Sequence, residues 1–207
     1  MSKTSNSPNA DGTSLSREQA RKILVFTAPS GAGKTTLVRH LLDRLPDQLA
    51  FSVSATTRAP RPTERDGVDY HFLSPKEFRR RVDAGEFLEF EEVYDDQYYG
   101  TLHAEVERVW AEGKCVLFDV EVKGASAIKR AYPAESRVVF VAPPSDEVLF
   151  ERLRGRGTES AASLRKRIAR AAEELNYRNR FDLVLVNDDL NEAKHQAERI
   201  AADWLRA

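Results

Sequence analysis

Residues 28–36 combine small side chains, a lysine and two threonines at a spacing that suits phosphate binding, reading APSGAGKTT. Small residues let backbone N–H groups close around phosphate oxygens, and the N-terminus of a following helix adds positive potential. Lys34 can then reach the terminal phosphates, and the Thr35 hydroxyl can take a place on Mg²⁺. We therefore predict that a nucleoside triphosphate binds along Pro29, Ser30, Gly31, Ala32, Gly33, Lys34, Thr35 and Thr36.

The residues on either side of this loop predict the strand and the helix that it needs. The apolar run Ile23–Phe26 precedes it, and a helical apolar face follows, made of Leu37, Val38, Leu41, Leu42 and Leu45. Ala28 stands where the usual pattern has its first Gly, and we interpret its small methyl group as a tolerated variation. Gly-Lys-Thr also occurs in ordinary loops, but strand, loop and helix in this order favour the phosphate site.

A second group of residues could hold another phosphate. Arg58 and Arg61 lie three residues apart among prolines, and Tyr70 and Tyr99 follow later in the chain. Two guanidinium groups on a stiffened loop can make bidentate contacts with one phosphate, and phenol hydroxyls can add further donors. Any one of these residues alone would be a solvated arginine or a half-buried aromatic. Together with a phosphate loop, they predict the acceptor pocket of a kinase.

The densest basic region covers Glu151–Thr158 and Leu164–Arg167. Two ordinary interpretations are a solvated helical face and a patch that binds RNA. Gly155 and Gly157 favour a mobile hinge instead. Arg152, Arg156 and Arg167 of this region, together with Lys34, are the candidates for contact with a transferring phosphoryl group.

A length of 207 residues suits one α/β domain with small insertions, or two small domains. Hydrophobic residues make up 41% and charged residues 31%, which suits a packed core with a polar surface. The formal net charge of −1 favours neither nucleic acid nor an anionic membrane as a partner. The single cysteine, Cys115, lies in an apolar run and is expected to be a buried thiol. We expect a cytoplasmic enzyme, either a monomer or a homodimer.

The order of predicted elements indicates a doubly wound parallel sheet. Strands are predicted at 23–26, 51–54, 116–119, 138–141 and 183–186, and helices at 35–45, 75–84, 102–112, 145–153, 163–177 and 190–206. Ser74 is predicted to cap the second of these helices, which Gly85 ends, and Gly113 ends the third. Residues 1–20 are predicted to be a disordered tail, because they offer almost nothing to bury. We divide the rest into a core (21–52, 102–150 and 168–207), an α+β insertion (53–101) and a lid (151–167).

Four motifs behind the phosphate loop make the resemblance specific. Ser-x-Ser-x-Thr-Thr-Arg-x-Pro-Arg, Tyr-Tyr-Gly-Thr, Gly-Arg-Gly-Thr and Val-Asn-Asp-Asp occur in this order. From about Arg21 to its end, the chain resembles the guanylate kinase family. That resemblance implies the reaction of ATP and GMP to give ADP and GDP with Mg²⁺. It also implies a P-loop core flanked by a GMP-binding region and a mobile lid.

The resemblance assigns roles to individual residues. It implies that Asp119 supports Mg²⁺ with Thr35, and that Asn187 makes a contact on the adenine side, although a turn-forming Asn is nearly as good an interpretation. The acceptor phosphate is assigned to Arg58, Arg61, Tyr70 and Tyr99, and guanine to Ser54, Glu89, Thr101 and Glu121. Guanine presents N1–H and a 2-amino group on one edge, and a carboxylate such as Glu89 can accept from both.

The chain departs from the family pattern at three places. Glu121 stands where the family usually has Asp, and Lys123 stands where Gln is expected. The segment between Glu89 and Tyr98 is one residue longer. Glu89 is therefore a stronger candidate for the guanine contact than Glu121.

Three other functions compete with this prediction. A related kinase could act on another nucleotide or on a phosphorylated ribose, but a base-free acceptor would give Glu89 and Ser54 nothing to bind. A non-catalytic module that binds phosphorylated protein segments would usually have an eroded phosphate loop, whereas Lys34 and Thr35 are present. Nucleic-acid binding through the basic lid fits poorly with the balanced net charge.

Overall fold

Five parallel strands form the larger of two sheets. The computed structural model describes residues 21–94, 97–154 and 161–207, so the predicted tail and residues 155–160 lie outside the described residues. The strands of this sheet are β1 (Ile23–Thr27), β2 (Leu49–Phe51), β7 (Cys115–Val120), β8 (Ser136–Ala142) and β9 (Leu183–Val186). Their order is β2-β7-β1-β8-β9, and every pairing is parallel. Both neighbours of β1 come from far along the chain, so the connections cross over the sheet.

Helices cover this sheet on both faces. They are α1 (Lys34–Arg44), α3 (His103–Ala111), α4 (Val122–Ala131), α5 (Asp146–Arg154), α6 (Ala161–Leu175) and α7 (Leu190–Arg206). Leu24 and Phe26 of β1 pack in a cluster with α1, α5, α6 and α7. Ile23 and Val25 pack on the other side with α3 and α4. Side chains alternate across a strand, so one buried strand supplies two cores, and the predicted doubly wound α/β architecture is confirmed.

The second sheet is smaller and mostly antiparallel. It contains β3 (Ala55–Thr56), β4 (His71–Phe72), β5 (Phe87–Tyr94) and β6 (Gln97–Leu102), in the order β4-β3-β6-β5. Helix α2 (Pro75–Asp83) packs on it through the buried Phe78. As predicted, the Ser74 hydroxyl caps this helix by accepting from the backbone N–H of Glu77 at 3.2 Å. This sheet occupies the predicted insertion.

The prediction of a strand at 51–54 was wrong in its bounds. Strand β2 ends at Phe51, and the Ser52 N–H makes one more bond to the Leu117 carbonyl at 3.2 Å. The chain then leaves the sheet, because the next N–H, of Val53, binds the Glu105 carboxylate at 3.1 Å instead. Local sequence could not reveal that partner, which is far away along the chain.

Helix α4 was absent from the sequence prediction. Its buried positions, Val122, Ala125 and Ile128, do follow helical spacing, but Gly124 and short side chains make the periodic signal weak. Gly124 is also buried, and a side chain there would approach the Glu89 carboxylate. The lid helix α6 covers Ala161–Leu175, two residues before the expected range at each end.

Cys115 is buried, as predicted, and burial raises the pKa of its thiol to about 12. Among the residues that the structure describes, no helix is both long enough and apolar enough to cross a membrane.

Candidate active site

The phosphate loop links β1 to α1 and depends on two left-handed glycines. Gly31 has φ 93° and Gly33 has φ 91°, a region that residues with a Cβ rarely adopt. At Gly33 there is a second constraint, because a Cβ would collide with the side-chain amide of Asn187. The loop lines a cradle of about 250 Å³ together with Glu121. All eight residues predicted to bind the triphosphate therefore lie in one short segment at the end of the central strand.

Asn187 supports this loop from behind. It follows β9, is only 5% exposed, and its side-chain N–H donates to the Ala32 carbonyl at 2.7 Å. The structure thus gives Asn187 a role in shaping the loop that the sequence analysis did not foresee. Its contact on the adenine side stays a prediction.

Asp119 contacts the polar side chains at the N-terminus of α1. Its carboxylate forms an ion pair with Lys34 and accepts a hydrogen bond from the Thr35 hydroxyl at 2.7 Å. The Lys34 ammonium also donates to the Val120 carbonyl at 2.9 Å. A hydroxyl and a carboxylate are the hard oxygen ligands that Mg²⁺ prefers, so the residues present fit this ion. Helix α1 and strand β7 thereby bring the two predicted metal residues together.

A cavity of about 320 Å³ connects this corner to the smaller sheet. Its lining includes Lys34 and Asp119 from the loop side. From the acceptor side, the same cavity is lined by Ser54, Tyr70, Glu89, Tyr99 and Glu121. The size suits a small ligand. The structure therefore places predicted donor and acceptor residues around one space.

Glu89 supplies a half-buried carboxylate to this cavity. The Thr101 hydroxyl donates to it at 2.7 Å. Burial raises the pKa of Glu89 above the ordinary value of 4.5, and the hydrogen bond from Thr101 opposes that rise. Gly100 on the neighbouring strand is required here, because a Cβ would lie 2.6 Å from the Glu89 carbonyl oxygen. The pair Glu89–Thr101 is thus held by the tight packing of β5 against β6.

Arg58 is oriented by a carboxylate that the sequence analysis missed. Its two terminal nitrogens donate to Glu64, each at 2.9 Å, and its Nε donates to the Tyr99 hydroxyl at 3.2 Å. The guanidinium also lies 5.3 Å from the centre of the Tyr70 ring. Arg58, Tyr70 and Tyr99 are therefore brought together as predicted. The pKa of Arg58 is raised, first by its hydrogen bonds to Glu64.

Arg61 lies apart from this group. Its side chain is 73% exposed, and it lines a neighbouring cavity of about 480 Å³ that also contains Thr35, Tyr70 and Asp119. Glu64 links the two arginines, since its carboxylate also accepts from the Arg61 backbone N–H at 2.8 Å. The spacing Arg-x-x-Arg-x-x-Glu was the available signal for this carboxylate.

Two of the three predicted lid arginines, Arg152 and Arg167, lie near the phosphate loop. Arg152 donates to the Asn187 carbonyl at 3.1 Å, and Arg167 donates to the Ser30 hydroxyl at 3.1 Å. Arg156 lies outside the described residues. Two further residues of α6 were missed by the sequence analysis: Arg170, and Glu174, which accepts from the Ser30 backbone N–H at 3.3 Å.

A buried carboxylate joins the smaller sheet to the core. Glu105 of α3 is 7% exposed and accepts from the Val53 backbone N–H at 3.1 Å. His71 lies 3.0 Å away, and Arg108 completes an ion pair at 2.9 Å. Burial acts to raise the pKa of Glu105, but these partners together lower it. Ser54 follows Val53, so the hydrogen bond to Glu105 holds the backbone beside one of the predicted guanine contacts.

Comparison with known proteins agrees with this geometry. The sequence model described as guanylate kinase matches residues 20–203. A guanylate kinase of Salinibacter ruber is 56% identical over 173 residues, which is 84% of this chain and 91% of that protein. One of Porphyromonas gingivalis is 48% identical, covering 89% and 98%. The crystal structure of guanylate kinase from Anaplasma phagocytophilum has a TM-score of 0.64 at 30% identity, covering 88% of this chain and 84% of that one. With a phosphate loop, an acceptor cavity and relatives of this kind, the chain belongs to the guanylate kinase family.

Proposed function

We propose that the protein transfers the γ-phosphoryl group of ATP to GMP, giving ADP and GDP. The observation that carries this proposal is the shared cavity, which Lys34 and Asp119 line together with Glu89. Lys34 of the phosphate loop therefore faces the same space as the Glu89 carboxylate, which is suited to guanine. That arrangement supports direct transfer between two nucleotides bound side by side.

Glu89 provides the selectivity for guanine. Its carboxylate can accept from N1–H and from the 2-amino group, while the hydroxyls of Ser54 and Thr101 lie at the same site. Adenine has no such pair of donors on that edge. Binding AMP would leave the half-buried Glu89 carboxylate without the two donors of the base, which costs about 1–3 kcal/mol or more.

The acceptor phosphate is bound by Arg58, Arg61, Tyr70 and Tyr99 in this proposal. Arg58 is held in a fixed orientation by Glu64, so little side-chain freedom remains to be lost when the phosphate arrives. Arg61 is exposed on the adjoining cavity and has to turn toward the same phosphate. The phosphate of GMP is already an anionic nucleophile, so the step needs no general base.

Transition-state stabilisation rests on positive charge around the transferring group. Lys34 supplies one such charge, and Arg152, Arg156 and Arg167 supply others from the lid. Mg²⁺, held by Thr35 and Asp119, would neutralise phosphate charge when bound with ATP. The predicted lid consists of residues 151–167. Its closure over the bound nucleotides would exclude water, which could otherwise accept the phosphoryl group.

A coupled assay of ADP release tests the proposal directly. GMP, dGMP, AMP, CMP, UMP and ribose phosphates are offered at equal concentrations with ATP and Mg²⁺. We expect rapid turnover with GMP, and rates with AMP at least about a hundredfold lower because of the unpaired Glu89. Glu89→Gln is the matched variant, since it keeps the shape but removes the charge. Equal rates with AMP and GMP would refute guanine selectivity, and no turnover with any acceptor would refute the kinase.

A further inference from the structure

Three carboxylates from three parts of the fold converge on one arginine. Arg170 of α6 forms an ion pair with Glu121, which follows β7. The same guanidinium lies 3.6 Å from Glu91 on β5, and its Nε donates to Glu174, one turn further along α6, at 3.2 Å. The lid helix, the core and the smaller sheet are therefore connected through a single side chain.

Two of these carboxylates line a proposed nucleotide pocket, and the third contacts the phosphate loop. Glu121 lines both the acceptor cavity and the cradle of the phosphate loop, and Glu91 lines the acceptor cavity. Glu174 is 5% exposed and accepts from the backbone N–H of Ser30 in the phosphate loop. Arg170 thus touches the acceptor pocket through Glu91 and Glu121, and the donor site through Glu174.

We propose that Arg170 is a positioning residue that holds the Glu121 carboxylate in place on the wall of the acceptor pocket and ties it to the phosphate loop. This inference rests on the proposed function. Glu121 has one methylene more than the Asp that the family usually has at this position, and so has one more rotatable bond. Arg170 engages one carboxylate oxygen, Oε2, and leaves the other available to the base.

Charge supports the same conclusion. Burial and the nearby charge of Glu121 raise the pKa of Glu174, so the carboxylates are costly to bring together. Arg170 offsets that repulsion with hydrogen bonds and charge. Without it, the Glu121 carboxylate would be uncompensated on a pocket that has to admit the negatively charged GMP. Lys123 lies 3.1 Å from Glu91 and can compensate only that carboxylate.

A double-mutant cycle tests the inference through steady-state kinetics. We expect Arg170→Ala to raise the KM for GMP at least fivefold while kcat changes less than threefold. In the Glu121→Gln background, the same substitution should raise that KM less than threefold, because the carboxylate to be positioned is gone. Arg170→Lys keeps the charge but not the planar fork and should restore part of the affinity. Arg165→Ala, an exposed arginine on the same helix, is the control and should leave KM unchanged.

Two outcomes would overturn the inference. One is a rise in KM below fivefold for Arg170→Ala, and the other is a rise of threefold or more in the Glu121→Gln background. If thermal melting shows that Arg170→Ala does not fold, the same cycle is measured with Arg170→Lys and judged by whether its effect disappears with Glu121→Gln. Failure of the wild-type protein to phosphorylate GMP would refute the proposed function itself, so the two failures are distinguishable.

Discussion

The two sheets hold the predicted binding residues in place in different ways. The larger sheet places its phosphate loop at the end of a strand that is buried on both faces, and the loop is shaped by backbone conformation at Gly31 and Gly33. Among the described residues, the smaller sheet and α2 share a buried cluster of four, Ala55, Phe78, Phe87 and Leu102. Its binding residues are oriented by pairs of side chains such as Arg58–Glu64 and Thr101–Glu89. The geometry of the donor site is therefore set by the buried core strand and the loop backbone. The acceptor site depends instead on individual ion pairs and hydrogen bonds.

This difference predicts the largest kinetic effect on the donor side. We expect Lys34→Ala to lower kcat by a factor on the order of 10⁴, since the ammonium stabilises charge that develops on the phosphates during transfer. The KM for GMP should change much less, because the proposed contacts to guanine and its phosphate come mainly from the smaller sheet. Steady-state assays with Lys76→Ala, an exposed lysine on α2, provide the control. A near-normal kcat for Lys34→Ala would show that the loop lysine has no such role.

Core substitutions should separate the two sheets by stability. Phe118 lies in the larger sheet and Phe78 on helix α2, which packs on the smaller sheet, and each is 1% exposed. Truncating a buried Phe to Ala costs about 3–5 kcal/mol. Phe118→Ala should lower the free energy of global unfolding by that amount, as measured in urea.

For Phe78→Ala, we expect the smaller sheet to loosen first. The KM for GMP should rise while ADP binding, measured by calorimetry, is retained. Phe90→Ala is the matched control, because this neighbour of Phe78 is 49% exposed and should cost less than about 1 kcal/mol. Equal losses of ADP and GMP binding in Phe78→Ala would mean that the two sheets unfold as one unit.

The smallest expected effect is a dependence on pH at the acceptor site. Burial raises the pKa of Glu89 above 4.5, and a protonated Glu89 cannot accept from both donors of guanine. The kcat/KM for GMP should therefore fall, by up to tenfold per pH unit, as pH is lowered through that raised pKa. Glu89→Gln should lose this limb of the profile and keep the one due to titration of the GMP phosphate near pH 6. An unchanged profile in Glu89→Gln would contradict this assignment.

Local signals were sufficient where the chain builds its own geometry. The phosphate loop, the Ser74 cap and the helix stops at Gly85 and Gly113 all depend on residues a few positions apart, and both glycines have positive φ. Strands buried on both faces are also visible as continuous apolar runs. Helix α4 was missed because small residues conceal its periodicity.

The acceptor side shows where sequence reasoning stops. Glu64 could have been suspected from its spacing to Arg58 and Arg61. Glu105 and Arg170 could not, because their partners lie far away along the chain, such as Val53 for Glu105 and Glu121 for Arg170. An isolated Glu or Arg on a helix resembles any solvated residue until the tertiary structure brings its partner to it.

The sequence by itself determined the family and the donor loop, and it predicted which residues surround guanine, because these signals are carried by residue types at short, characteristic spacings. Only the tertiary structure decided how those residues are held. It placed Asn187 behind the phosphate loop, paired Arg58 with Glu64, and connected the lid helix to both pockets through Arg170. Phosphate recognition can be encoded locally because backbone N–H groups perform it. The orientation of charged side chains depends on burial and on distant partners, and these exist only in the folded chain.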